Sequence, residues 1–327
     1  MLIEPDERVL AVLLGALVVD ALLGEPAWLY RRVPHPVVLL GRLIAGLEER
    51  LLDARASDQG KRLRGALLVL LVVGGAVGVG GALRLALAPL PFGWLVEALL
   101  MATLLAQRSL ALHVAAVADG LERGLAHGRA AVARIVGRDP ERLDEAGTAR
   151  AAIESLAENL SDGVVAPLFW AALAGLPGIL AYKAVNTLDS MVGHRNERYR
   201  AFGWASARLD DLANLVPARL TGGLLCLVGA LGGRGPLGTA VRAMLRDAPR
   251  HRSPNAGWPE AAMAAVLGLR LAGPRVYGGT TVADAWMGDG RAEATAQDIR
   301  RALALAWLVW WLMLGTLAAA LLVSLGR

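Results

Sequence analysis

Gly65-Ala-Leu-Leu-Val-Leu-Leu-Val-Val-Gly-Gly-Ala-Val-Gly-Val-Gly-Gly-Ala-Leu-Arg-Leu-Ala-Leu-Ala-Pro-Leu90 is the stretch that decides the fold. The hydrocarbon core of a bilayer is roughly 30 Å thick and takes about 20 helical residues to cross, so this run is long enough to span it. Gly74, Gly75, Gly78, Gly80 and Gly81 predict a small-residue face at which helices approach closely in lipid. The turn Pro89-Leu-Pro-Phe-Gly93 is too short to hold a domain, so the next apolar run, Trp94 to Val114, forms a helical hairpin with the first.

Further runs at Val164 to Val185, Leu212 to Gly232 and Leu303 to Leu325 are apolar enough to cross. Val9 to Gly24 is short, with Asp20 near its end, and either crosses with tilt or lies in the interface. The fold class is therefore all-α: a polytopic integral membrane helical bundle of five or six membrane segments, one domain over residues 1–327. Trp307, Trp310 and Trp311 read as an interfacial belt or a packing stripe.

Composition agrees. Of 327 residues 55% are hydrophobic, and the mean hydropathy of +0.47 excludes an ordinary soluble domain of this length. Cys226, the one cysteine, lies in an apolar block and reads as a small buried hydrophobe, so no disulfide framework exists. The net charge of +5 comes almost wholly from arginine, since Lys61 and Lys183 are the two lysines. In such a chain a basic surplus marks cytoplasmic loops rather than a nucleic-acid partner. The acidic start Met1-Leu-Ile-Glu-Pro-Asp-Glu-Arg8 lacks the basic region of a signal peptide.

Arginine-rich segments at about 25–64, 115–163 and 234–301 are expected on the cytoplasmic side. Asn186 to Asp211, which carries Arg195, Arg198, Arg200 and Arg208, would lie outside if both flanking runs cross. Either Val164 to Val185, broken by Gly175-Leu-Pro-Gly178, and its partner are re-entrant, or the segment folds into a protein-lined cavity. A site open to the cytoplasm is the favoured expectation.

The chemistry concentrates between residues 149 and 220. Glu154, Glu158 and Asp162 recur at i, i+4 and i+8, which on a helix stacks three carboxylates on one face and calls for a divalent cation or a cationic partner. Lys183, Asn186 and Asp189 share a helical face at the end of a membrane run, where charges are costly and functional by default. A lysine in an arginine-rich chain suits a point contact to phosphate. Asp210 and Asn214 are i, i+4, with Asp211 adjacent; such hard oxygen ligands suit Mg²⁺, and Arg208 and Arg219 suit phosphate oxygens. The competing readings are a solvated helix face for the acids, snorkelling for Lys183 and capping for Asp210-Asp211. His35, between two prolines, and Asn255, in a turn-rich segment, are weaker candidates that also have structural readings. No Walker A loop, nucleophile elbow, His-Glu-x-x-His or paired Cys-x-x-Cys is present.

Taken in order, His35-Pro-Val37, Arg150-Ala-Ala-Ile-Glu-Ser-Leu-Ala-Glu-Asn-Leu-Ser-Asp-Gly163, Tyr182-Lys-Ala-Val-Asn-Thr-Leu-Asp-Ser-Met-Val-Gly193, Ala207-Arg-Leu-Asp-Asp-Leu-Ala-Asn214, Pro217-Ala-Arg219 and Ser253-Pro-Asn-Ala-Gly257 resemble the adenosylcobinamide-phosphate synthases of cobalamin biosynthesis, the CobD/CbiB family. Glu25, where the family often has aspartate, and His194, where an aromatic is common, are small departures.

The resemblance implies a multi-pass enzyme of the cell membrane, its active site facing the cytoplasm. It uses ATP to join adenosylcobyric acid to 1-amino-2-propanol phosphate or ethanolamine phosphate, giving adenosylcobinamide phosphate. On that reading Mg²⁺ falls to Glu154, Glu158, Asp189 and Asp210, and proton removal from the attacking amine to Asp211 or His35. Phosphate or substrate contacts fall to Lys183, Asn186, Arg195, Arg208, Asn214 and Asn255. The implied partners are the corrinoid, the aminoalcohol phosphate, the lipid bilayer and other cobalamin-biosynthesis enzymes at the membrane, with no nucleic acid. The alternatives are a Mg²⁺-dependent prenyl or phosphoalcohol transferase, whose Asp-x-x-x-Asp repeats are missing here, and a non-enzymatic transporter or assembly subunit.

Overall fold

A computed structural model of the chain describes residues 7–137, 139–194, 196–277, 280–282 and 284–326. Arg195 therefore lies outside the described residues.

The chain is almost entirely helical. In order come α1 (Glu7–Leu23), α2 (Ala27–Tyr30), α3 (Pro36–Leu51), α4 (Asp58–Leu87), α5 (Gly93–Ala102), α6 (Gln107–Arg123), α7 (Leu125–Val132), α8 (Glu145–Leu160), α9 (Ala166–Val192), α10 (Trp204–Ala213), α11 (Leu215–Leu231), α12 (Leu237–Asp247), α13 (Gly257–Leu267) and α14 (Ala296–Leu325). Two short antiparallel pairs, β1 (Leu271–Ala272) with β4 (Trp286–Met287) and β2 (Arg275–Tyr277) with β3 (Thr280–Val282), precede α14.

Four helical segments are long and apolar enough to cross a membrane: Asp58–Leu87, Gly93–Arg123, Glu145–Val192 and Ala296–Leu325. A fifth follows if Trp204–Ala213 and Leu215–Leu231 are read as one bent span. Each covers one of the apolar runs in the sequence. The protein is thus an all-α polytopic membrane protein. Within Trp94 to Val114 the helix breaks between α5 and α6, and Thr103 satisfies its hydroxyl on the Leu100 carbonyl at 2.7 Å.

The chain folds as two compact units. The first holds α1 to α5, α9 and α10, with the last turns of α14. Ile44, Leu68, Val72, Ala184, Leu188, Val192 and Phe202 make its core, and Ala166, Tyr182, Val185 and Ala213 make a smaller cluster. Here α4 runs antiparallel to the second half of α9 and the segment after it: Gly80 lies against Pro177 in α9 and Gly65 against Phe202, ten residues beyond the end of α9. A methyl group at either glycine would enter the opposing backbone, at 1.8 Å from the Phe202 carbonyl oxygen and 2.6 Å from Pro177 Cα. The expected five-glycine face is narrower than its spacing suggested, because a methyl at Gly74, Gly75, Gly78 or Gly81 would meet nothing within 4 Å among the described residues. Close approach needs glycine only where backbone meets backbone.

The second unit holds α6 to α8, α11 to α13, the strands and most of α14. Ile153, Leu156, Leu160, Leu225, Ala262 and Met263 are buried in it. Trp310 is buried with its ring edge-on to Trp307 and Trp311, whereas Trp311 is exposed, so this stripe is half packing and half surface. Between α8 and α9 the backbone makes one π-turn, Ser161–Val165, with Asp162 inside it.

Candidate active site

In the first unit, α9 and α10 bring together the two polar strings that the sequence keeps about two dozen residues apart. On α9, Tyr182, Asn186 and Asp189 follow at helical intervals; Asp210 and Asp211 on α10 and Asn214 at its C-cap answer them. The buried Tyr182 hydroxyl donates to Asn214 Oδ1 at 2.8 Å, and Asn214 Nδ2 donates to Asp210 Oδ2 at 3.1 Å. The Asp210 carboxylate accepts, which turns the Asn214 amide nitrogen toward it and leaves the amide oxygen to the phenol. The Asn186 amide and the Asp189 and Asp211 carboxylates are the other neighbours of Asp210. Asp210 Oδ1 is shielded from solvent and makes no hydrogen bond of normal geometry among the described residues. A buried acceptor in that state is costly unless something else meets it.

Trp170 pins this end of α10 by donating from Nε1 to the Ala213 carbonyl at 3.1 Å. Arg208 is exposed on α10. Lys183 is half-buried and lies on the wall of an apolar cavity of about 340 Å³ that Pro36, Val37, Leu40 and Val72 also line.

His35 caps α3. Its Nδ1 accepts the Val37 backbone N–H at 3.2 Å, and Pro36 occupies the first helical position. A backbone N–H only donates, so the neutral ring carries its proton on Nε2. The ring lies 4.6 Å from that of Tyr30. Burial pushes the His35 pKa down and the charge of Lys183 adds to this, against the opposing pulls of Glu25 and the Thr103 backbone. The base reading of His35 thus meets a ring whose free lone pair is already used.

The remaining candidates belong to the second unit. Glu154 is buried, and its Oε1 accepts the Ala272 N–H at 2.8 Å, holding a residue whose φ of +58° is rare for alanine. Glu158 is exposed. The three acids expected to stack at i, i+4 and i+8 meet different surroundings: Glu154 is buried, Glu158 is exposed, and Asp162 is half-buried at the start of the π-turn. Asn255 is buried in a tight turn where Ser253 Oγ accepts the N–H groups of Asn255 and Ala256, both at 3.2 Å. Among the described residues no group of three or more His, Cys, Asp or Glu side chains comes close enough to hold a metal by itself.

Tyr182 is the functional-looking residue that the sequence reading passed over. Its signal was present: it stands four residues before Asn186 and seven before Asp189, on their face. Glu48 is another, accepting at Oε1 from Arg198 Nη2 and Tyr199 Oη, each at 2.8 Å, and so tying the arginine-rich 196–203 segment to α3. Its partners lie 150 residues away, beyond the reach of any local pattern.

Fold and site together define a class: a polytopic helical membrane protein with a half-buried carboxylate and amide cluster on a pair of packed helices. The family described as "CobD/Cbib protein" matches residues 13–306, and this chain belongs to it. It is 53% identical over 319 residues to "Cobalamin biosynthesis protein CobD" of a Sinorhizobium species, covering 96% of this chain and 98% of the relative. Proteins of the same name from Brucella suis (51% over 323 residues, 97% and 98% covered) and Rhodobacter capsulatus (50% over 299 residues, 90% and 92% covered) are also similar. No solved structure matches the chain.

Proposed function

We propose that the chain is an enzyme of cobalamin biosynthesis, an acid-amine ligase that uses ATP to join adenosylcobyric acid to an aminoalcohol phosphate. Family membership supports the pathway. The observation that carries the chemistry is the Tyr182–Asn214–Asp210 chain beside Asp189 and Asp211, which assembles hard oxygen donors around one unsatisfied carboxylate oxygen.

A carboxylate does not react with an amine near neutral pH, so it is first activated. A propionate oxygen attacks the γ-phosphorus of ATP, the bond to the bridging oxygen breaks, and ADP leaves. The amine then attacks the acyl carbon, phosphate leaves, and a base takes the amine proton. Lys183 and Arg208, with Arg195, hold the transferred phosphoryl oxygens, and Asn186 and Asn214 orient substrate and carboxylate. Asp211 is the proton acceptor, since the His35 lone pair is committed to the α3 cap.

The donor set fits Mg²⁺, which takes one or two carboxylates alongside substrate phosphates rather than a complete protein cage. Asp189 and Asp210 would hold it, and when bound it would neutralise nucleotide charge. The site faces the cytoplasm, where ATP is supplied. Cysteines placed at Arg134 and Arg246 should be labelled from that side.

The deciding assay uses detergent-purified protein with ATP, Mg²⁺, adenosylcobyric acid and either aminoalcohol phosphate. One ADP per amide product, read by mass, is expected. Folded protein that forms no amide with either compound overturns the proposal.

A further inference from the structure

The other end of α4 carries a site that the proposed reaction does not use. Counting along α4, Arg84 stands 19 residues beyond Gly65, or about 28 Å at the helical rise. Gly65 marks the end that packs on Phe202, so Arg84 is almost a bilayer's thickness from that end. Here the first unit encloses a cavity of about 230 Å³ walled by apolar side chains of α1 and α5, such as Val12 and Met101. Three charged side chains line it: Arg8, Arg84 and Glu97.

Arg8 is fixed by donating to the Ala88 and Leu87 carbonyls at 3.0 and 3.2 Å, which places a guanidinium at the end of α4. Glu97 is only 5% exposed, and its ion pair with Arg8 Nη2 is 3.9 Å long, too far for a hydrogen bond. Arg84 has no ion-pair partner among the described residues. Its guanidinium lies against Gly175, where α9 breaks: φ is +64° and ψ −149°, and a methyl group there would sit 3.1 Å from Arg84 Nη1. Only glycine adopts that conformation without strain. The break therefore both bends α9 and makes room for the arginine. A cavity lined by two guanidinium groups and a buried carboxylate is complementary to a ligand carrying a phosphate and an ammonium group a few bonds apart.

Two features favour a lipid as the source of that ligand. The cavity lies at the end of α4, a helix long and apolar enough to cross a membrane, so that end is expected near the headgroups. Beside Arg84 on α4, Leu85 and Val79 are 78% and 57% exposed, an apolar surface along which acyl chains can run. We infer that this cavity binds the zwitterionic headgroup of an aminoethyl phospholipid, with the phosphodiester on Arg84 and Arg8 and the ammonium on Glu97. The binding makes the protein selective for such lipids over anionic ones of equal chain length. It stands independently of the ligase reading.

The test reconstitutes the full chain in nanodiscs of equal phosphatidylethanolamine and phosphatidylglycerol content, releases it in mild detergent and counts retained lipids by native mass spectrometry. The native chain should retain the ethanolamine lipid preferentially. Glu97→Gln should lose that preference and hold both lipids equally. Arg84→Gln, at an exposed position that folding tolerates, should release both, with retention down roughly tenfold, as for a lost hydrogen bond to a charged group. Equal retention of the two lipids by the native chain, or unchanged retention in Arg84→Gln, overturns the inference. So does soluble O-phosphoethanolamine displacing the lipid at equal concentration, which would make the site one for a free aminoalkyl phosphate. None of these readouts involves ATP or a corrinoid.

Discussion

Asp210 in the first unit and Asp247 in the second are both withdrawn from solvent, but their surroundings differ. Asp247 receives Arg246 on both oxygens at 2.6 and 2.8 Å, Arg250 at 3.3 Å and the Gly288 N–H at 2.9 Å. The Arg246 guanidinium holds its carboxyl below the usual carboxylate range. Asp298 is treated likewise by Arg291, Arg301 and Thr295. Asp210 has amides and further carboxylates for company, and no cation among the described residues. An acid neutralised on every side is held for structure; on the proposed reading, one grouped with like charges and an unsatisfied oxygen is kept for a cation that arrives with the substrate.

Four experiments test that contrast. The largest effect is expected for Asp210→Asn, which keeps size and an oxygen ligand but removes charge. Amide-forming turnover should fall about 10²- to 10³-fold, the usual range for a lost electrostatic partner of the transition state, with the melting temperature nearly unchanged. Normal turnover would place Asp210 with Asp247 as a structural acid. Asp247→Asn should do the opposite. Its arginines are 41% and 55% exposed, so the loss is nearer that of charged hydrogen bonds than of a fully buried pair, about 2 kcal/mol of stability with turnover per folded molecule retained. A thermal melt monitored beside the amide assay separates the two results.

Lys183→Arg sharpens the picture further. If a compact ammonium meets phosphate, the planar fork should cost about tenfold in kcat/KM, whereas a snorkelling role tolerates the exchange. Equal kinetics would remove Lys183 from the site. The smallest effect concerns pH. The fold lowers the His35 pKa, so it favours the neutral ring; that contribution is complete above the unfolded value of about 6.5 and is lost as pH falls from there toward the lower folded value. Protonation breaks the bond from Val37, worth about 1 kcal/mol as a helix cap. In His35→Asn, which can still cap but does not titrate, the loss of stability as pH falls below about 6.5 should disappear. A persistent slope would assign it to other groups.

Much of this molecule can be read along the chain, and the failures have identifiable causes. Long apolar runs place the spans because each must satisfy its own backbone in lipid, a constraint local to each segment. Lys183, Asn186, Asp189, Asp210 and Asn214 stand out because helical spacing converts sequence intervals into faces. Glu154, Glu158 and Asp162 share a spacing but not an environment, because Glu154 is buried with its carboxylate on the Ala272 N–H, 118 residues away, while Glu158 is exposed. Glu48 and Glu97 escape because their partners, Arg198 and Arg8, are 150 and 89 residues away and nothing local marks them.

The sequence by itself determined that the protein is helical and membrane-embedded, which residues are polar at membrane depth, and the family to which it is similar. Hydropathy and period act over one or two dozen residues, within reach of the linear chain. Only the tertiary structure decided that Tyr182 holds Asn214 against Asp210, that two of the α4 glycines are needed for close packing, that His35 spends its lone pair on a helix cap, and that Arg84 lies against the break in α9. Each depends on which side chains meet after the helices pack, and that outcome is fixed by shape and desolvation across the whole unit rather than by any interval along the chain.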